Sequence, residues 1–279
     1  MSNHMAKSVI GNSVRVAPVR TRRRGLPGAT SPTLFVVFTS PRTGSSWLID
    51  LLDSHPRIAA YAELFLPGDQ TTPDYGSLDT PRFEATLEGR RRITLVPHRL
   101  AYLKRLGQPR PDRDAVGFKL MYGHPHVHPG LLPYLSARRA RAVHLVRENA
   151  LDQIVSWETS VARGLFRAHG TDHVADIAVR IDTTALETRI EEMERAAAGA
   201  RTTLRRYRIP RLEVTYERLA AEPTKELARI VSFLNVEPAE WHQESSLVRI
   251  NRKPRAELIE NVHDVRAALA GTRFAWMLD

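Results

Sequence analysis

Leu34-Phe-Val-Val-Phe38 runs without a break into Thr39-Ser-Pro-Arg-Thr-Gly-Ser-Ser46, and Trp47, Leu48, Leu51 and Leu52 then repeat at helical spacing until His55-Pro56. A short continuous apolar run is what a strand buried on both faces of a parallel sheet requires. Pro56 disfavours helical geometry in the residue before it and ends the helix. The order is strand, Gly/Ser loop, helix. Such a loop aims several backbone N–H groups at one point, where the helix dipole adds positive potential. Gly44 lets the backbone approach an anion closely, Ser45 and Ser46 add hydroxyl donors, and Arg42 adds a permanent charge. An ordinary Ser-rich helix cap would explain the serines but not the Pro41-Arg42-Thr43-Gly44 lead-in. The loop reads as a phosphate site. It is not a Walker A motif, because no lysine precedes Ser45 and no Asp-tipped apolar strand offers itself as a metal holder.

Further strands are predicted at Ile58–Tyr61, Val116–Leu120, Ala142–Val146 and Leu212–Thr215. Leu186 to Leu204 marks one long helix, Leu227 to Leu234 a second, and Leu258 to Leu269 a third, closed by Gly271 as its C′ residue. Strands alternating with helices predict an α/β fold with a central, mainly parallel sheet flanked by helices. Pro67–Arg113 is rich in Pro, Gly and Arg and reads as an irregular cover over a cleft. Residues 1–33 lack apolar periodicity and read as a flexible basic arm, leaving 34–279 as one domain.

The chain has 279 residues and a net charge of +10, but six of those charges, Lys7 to Arg24, lie in the arm with no acid. The remainder suits a polyanionic small ligand, and aromatics at 7% form no base-stacking platform, so nucleic acid is not the expected partner. There is no cysteine, which excludes disulfides, thiolate metal sites and a cysteine nucleophile. No apolar run approaches the ~18 residues of a membrane span, and the N-terminus does not read as a secretory signal. A cytoplasmic protein is expected, and a homodimer stays open.

On these residues the sequence resembles the PAPS-dependent sulfotransferase family, whose 5′-phosphosulfate loop is Pro-[Lys/Arg]-x-Gly-[Ser/Thr]-[Ser/Thr]-Trp. PAPS is 3′-phosphoadenosine-5′-phosphosulfate, and PAP is its desulfated product. The resemblance implies a P-loop-kinase-like fold and sulfuryl transfer to a hydroxyl. It puts Arg42 where the family's lysine steadies the bridging oxygen, wraps the 5′-phosphate with Thr43, Gly44, Ser45 and Ser46, and sets Trp47 where an aromatic often stacks on adenine. Trp47 reads equally well as a core residue of the first helix. Leu145-Val-Arg147 through Gln153-Ile-Val-Ser156 matches the segment whose Arg and Ser hold the 3′-phosphate, and a guanidinium with a hydroxyl suits that anion. The spacing of this pair is similar to the bacterial carbohydrate sulfotransferases of trehalose and Nod-factor type. Val116-Gly-Phe-Lys119 matches a Gly-x-Lys strand near the reaction centre. Val214-Thr-Tyr216-Glu217 matches a segment read here as packing, and Asn251-Arg252-Lys253-Pro254 one that folds over the nucleotide. Arg252 is the phosphate candidate there, against an equally good reading as a solvated turn.

Direct transfer needs a group to take the acceptor's proton. Met121 stands where aryl and steroid sulfotransferases carry a histidine. The carbohydrate branch places a glutamate after the second strand, so Ala62-Glu63-Leu64 makes Glu63 the candidate base. His124-Pro-His126-Val-His128, whose alternation in an extended segment would align three imidazoles, is the alternative, with His98 behind it. Pro125, Pro129 and the lack of a His-Glu-x-x-His helix argue against metal there. A sugar or small natural product is the expected acceptor. A small-molecule kinase and a non-catalytic binder of phosphorylated ligands or nucleic acid are the rival readings.

Overall fold

Parallel pairing sets the position of everything else. The computed structural model describes residues 31–64 and 96–278, apart from positions 171, 173, 238 and 244, with only the backbone of 96–99. Its strands are β1 (Thr33–Thr39), β2 (Ile58–Glu63), β3 (Ala115–Met121), β4 (Arg141–Val146) and β5 (Arg211–Thr215). They form one sheet in the order β2-β3-β1-β4-β5, every neighbour parallel. Each strand expected from an apolar run is present and one or two residues longer.

Helices α1 (Ser45–Asp53), α2 (Val96–Leu106), α3 (His124–Val127), α4 (Leu131–Ala137), α5 (Ala150–Arg163) and α6 (Leu186–Arg206) precede β5. After it come α7 (Tyr216–Ala221), α8 (Pro223–Phe233), α9 (Arg255–Leu258), α10 (Val262–Leu269) and a 3₁₀ turn, Ala275–Leu278. Alternate residues of β1 serve opposite layers. Leu34, Val36 and Phe38 pack with Phe118, Leu120, Leu135 and Leu204. Phe35 and Val37 face Leu48, Leu52, Leu145 and Ile230 on the other side. A third cluster joins α5 and α6 to the C-terminal helices through Ile154, Ile190, Val265 and Phe274.

Three expectations need correction. Residues 96–106, inside the stretch read as irregular, are the helix α2, whose Tyr102, Leu103 and Leu106 are buried in the first layer. The helix expected from Leu258 to Leu269 is broken, because Val179 N–H bonds Leu258 O and Glu260 N–H bonds Val179 O, pulling Ile259 into a bridge. His124–Val127 is a helical turn with Pro125 in its first positions, so the three histidines do not alternate along an extended segment. Gly271, at φ 75°, does follow α10 as its C′ residue. The expected arm lies outside the described residues as far as residue 30, as do residues 67–95 of the expected cover.

Two features of this frame matter later. From β1 the chain turns toward β2, and from β4 it turns toward β5, so the crevice between the carboxyl ends of β1 and β4 is a switch point where α/β sheets bind ligands. And α4, α6 and α8 all end in the same turn: Arg139, Arg208 and Asn235 take left-handed φ of 51°, 52° and 57°. In each, the two following N–H groups reach back to the helix, as Arg208 N–H does to Arg205 O and Ile209 N–H to Leu204 O. Glycine or asparagine is usual at such a position, because a larger side chain there is strained by about 1–2 kcal/mol.

Gly117 is required for a different reason. It lies opposite Phe35 in the β1–β3 register, and a Cβ there would stand 2.4 Å from the Phe35 ring. Gly117→Ala is therefore expected to cost about 1–3 kcal/mol by overpacking, read as a lower urea midpoint at unchanged slope. An unchanged midpoint would mean that the ring moves aside freely.

Candidate active site

The loop between β1 and α1 is held in shape from beneath. Thr39 Oγ1 donates to Leu145 O at 2.8 Å and meets Thr43 Oγ1 at 2.6 Å, tying the loop to β4. Gln153 Nε2 donates to Ser40 Oγ at 3.0 Å from α5. Arg42 (φ 64°) and Gly44 (φ 80°) both have left-handed backbones. Gly44 is the N-cap of α1 and carries no side-chain cap, so the first N–H groups of α1 are left for a ligand. The Tyr216 ring covers this glycine, 2.6 Å from where a Cβ would stand. The Arg147 guanidinium lies over the same ring, 4.5 Å from its centroid.

Arginines converge beside the loop. Arg42 Nε donates to Ser156 Oγ at 3.0 Å and its NH1 to Phe166 O at 2.7 Å. Arg147, immediately after β4, donates to Arg42 O at 3.3 Å and to Asp152 Oδ2 at 3.2 Å. Its Nε is buried and has no hydrogen-bond partner among the described residues. Burial first, and then the charges of Arg147, Arg163 and Arg167, push the Arg42 guanidinium down to about 10. Three cations are thus gathered around a fourth, and their summed potential at this corner is positive. Asp152 bridges Arg147 to Arg255 (2.6 Å), and both Arg255 and Asn149 bond Met277 O, which fastens the C-terminal turn to this corner. Glu217 accepts the N–H groups of Glu148 and Asn149 at 3.1 and 3.2 Å.

On the β2–β3 side a second group forms. A bulge leaves Ala62 unpaired between Tyr61↔Phe118 and Glu63↔Lys119, and so sets the carboxylate opposite the lysine. Lys119 Nζ, 3% exposed, lies 2.7 Å from Glu63 Oε1 and 3.3 Å from Ser46 Oγ. Burial lowers the affinity of Lys119 for its proton, and Glu63 opposes that shift. His124 Nδ1 accepts the Met121 N–H at 3.3 Å, so its Nε2 faces Glu63 Oε2 at 3.8 Å. Burial also holds this imidazole below its usual range.

The structure thus brings Arg42, Thr43, Gly44, Arg147 and Ser156 to one corner and Glu63, Lys119, Ser46 and His124 to the next, with α1 between them. Trp47 is half-buried, packs on the α1 core layer and meets Tyr216 edge-on with centroids 6.4 Å apart. Arg252 and His126 are exposed. Arg255, three residues on, is the one that reaches the arginine corner. The His98 side chain lies outside the described residues. No motif points to Tyr216, Asp152 or Arg255 as site residues; the one available signal is the position of Tyr216 directly after a strand end. Among the described residues no group of three or more His, Asp or Glu is placed to hold a metal ion, and no helix is long and apolar enough to cross a membrane.

A family model described as a sulfotransferase domain matches residues 32–257. Nodulation protein H of Rhizobium tropici is 24% identical over 245 residues, covering 88% of this chain and 92% of that protein. Its namesake from Rhizobium meliloti (strain 1021) is 23% identical over 251 residues, covering 88% and 94%. Among solved structures, a sulfotransferase from Alicyclobacillus acidocaldarius aligns at 16% identity and TM-score 0.41, over 89% of this chain and 96% of that one. The sulfotransferase domain of the Synechococcus PCC 7002 olefin synthase aligns at 17% and 0.38, over 78% and 79%.

The Glu63–Lys119 pair makes its own prediction. Glu63→Gln leaves the lysine buried without a counter-charge and is expected to cost about 3 kcal/mol, as breaking a buried pair does. Adding Lys119→Met should restore most of the loss. Urea denaturation of both single variants and the double variant measures the coupling; simply additive losses would show that the two groups do not act as a pair.

Proposed function

The chain belongs to the sulfotransferase domain family, and on that premise we propose that it moves a sulfuryl group from PAPS to a hydroxyl of a carbohydrate or small natural product, with Glu63 as the base. The observation that carries the reading is the arginine corner at the β1–β4 switch point. The residues present fit the donor. The uncapped start of α1 and the orphaned Arg147 Nε are each suited to a phosphate oxygen.

In this reading the N–H groups of Thr43 to Ser46, with the hydroxyls of Ser45 and Ser46, hold the 5′ end of the donor, and Arg147 with Ser156 holds its 3′-phosphate. The donor supplies an activated sulfur–oxygen bond; the protein positions its two ends and manages charge. Glu63 Oε1 is engaged by Lys119, which leaves Oε2 to take the acceptor's proton as the new oxygen–sulfur bond forms. His124 lies on the same side of that carboxylate. Lys119, through its reach to Ser46, and Arg42, from the opposite side of the loop, offset the negative charge that grows on the leaving phosphate oxygen.

A cleft of about 270 Å³ opens on the α5 side of the loop, walled by Pro41 and Arg42, by Gln153 and Trp157 of α5, and by Arg189 and Met193 of α6. Glu63, Lys119 and His124 do not line it, so the cleft does not itself locate the reacting hydroxyl.

Two measurements test the reading. Arg147→Ala is expected to weaken PAP roughly 10- to 150-fold, the value of one charge-assisted contact, and to leave adenosine 5′-phosphate almost unchanged, since that nucleotide has no 3′-phosphate to lose. Equal weakening of both nucleotides in calorimetry overturns the assignment. Glu63→Gln, assayed where the variant is folded, should cut turnover by about 10²–10⁴ while PAP binding holds; normal turnover removes Glu63 as the base.

A further inference from the structure

At the amino end of β5, a strand's length from the active site, the surface carries a second basic hollow. It is a shallow, open basin of about 670 Å³, lined by Arg201, Arg205, Arg208, Arg211 and Glu213, with Ile209 and Pro210 between them. We propose that this hollow is a binding site for a small, multiply charged tetrahedral oxyanion of the phosphate or pyrophosphate class.

Three observations support it. The first is charge. No acid occurs from Arg195 to Leu212, so Glu213 is the only carboxylate of the lining. The second is that this carboxylate is already engaged. Arg201 donates to both of its oxygens, at 2.7 and 3.0 Å, and the buried His144 donates from Nδ1 at 3.0 Å, while Tyr122 OH meets the other ring nitrogen at 2.7 Å. Glu213 therefore balances Arg201 and is turned inward. The side chains of Arg205, Arg208 and Arg211 form no hydrogen bond or ion pair among the described residues, which leaves three guanidinium forks on one concave surface. Guanidinium forks match phosphate geometry in pairs. The third is position. The C′ turn after α6 sets Arg208, at φ 52°, on the same surface as Arg205 and Arg211. Three guanidinium groups within seven residues, Arg205 to Arg211, are a short enough cluster to suit a compact anion.

The test uses Arg205→Gln/Arg208→Gly, in which the glycine relieves strain and so preserves the fold, with Arg139→Gly as a control at the equivalent turn outside the hollow. Inorganic pyrophosphate, phosphate and sulfate are titrated into each protein by calorimetry at fixed ionic strength. Wild type and Arg139→Gly should bind pyrophosphate at one equivalent more than the double variant, in which that class of site is at least about tenfold weaker, as loss of charge-assisted contacts implies. The phosphate and sulfate arms rank the anions that fill it. Identical isotherms for wild type and the double variant overturn the proposal. So does an acetate control that matches pyrophosphate, which would reduce the effect to general screening.

Discussion

Like charges held close together, with a single carboxylate among their contacts, are the constraint on which this corner of the structure depends. Arg42 and Arg147 repel one another, and Arg163 and Arg167 add to that repulsion. What keeps Arg42 in place is a serine hydroxyl and a backbone carbonyl, and what keeps Arg147 is the Arg42 carbonyl, a tyrosine ring and one shared carboxylate. None of these contacts cancels Arg42's charge. The loop geometry that allows them places Arg42, a non-glycine residue, at a left-handed φ of 64°. Like-charge repulsion and one strained backbone position therefore coincide at this corner, and in the proposed reading a bound anion relieves the first.

The second corner follows the opposite rule. Lys119 is nearly fully buried and is matched by one carboxylate, so its charge is balanced before any ligand binds. The two corners share the loop: Ser46 touches Lys119 while Thr43 is locked to β1, and Arg42 turns toward α5. One strand–loop–helix unit thus presents an unbalanced positive face on its β4 side and a balanced ion pair on its β3 side. In the proposed reading, binding belongs to the first and proton handling to the second.

How far this is legible in the sequence depends on how local each contact is. Residues 39–46 are consecutive, and their run from apolar strand to helix start reads as an anion loop from the residues alone. Arg147 and Ser156 are legible because a strand end and one helix bring them together. Glu63 is recognisable as a residue type at a strand end, but its partnership with Lys119 depends on the Ala62 bulge, which no residue pattern announces. Tyr216 and Arg255 are not legible, because they reach the site from 172 positions beyond Gly44 and 103 beyond Asp152. The apolar spacing of Leu258 to Leu269 is helical throughout, yet a backbone bridge from Val179 outweighs it at Ile259. Local preference is a weak force beside a satisfied backbone pair.

Asp152 shows why an acid belongs inside an arginine receptor. It sits in the first turn of α5, where its N–H is capped by Asn149 Oδ1 at 3.0 Å and its negative charge opposes the helix dipole. One oxygen takes Arg147 and the other takes Arg255, so it orients two cations while neutralising only one charge. Without it, Arg147 would be free to turn away from Arg42, and Arg255 would lose the anchor that closes the C-terminal turn over this corner. With it, the guanidinium plane is fixed across Tyr216 and Nε stays buried and unused. The carboxylate gives up part of the attraction for an anion and gains a fixed direction for the rest. If, as proposed, Arg147 tells a 3′-phosphate from a bare hydroxyl, direction is the more useful of the two, since charge alone would draw any anion to the loop.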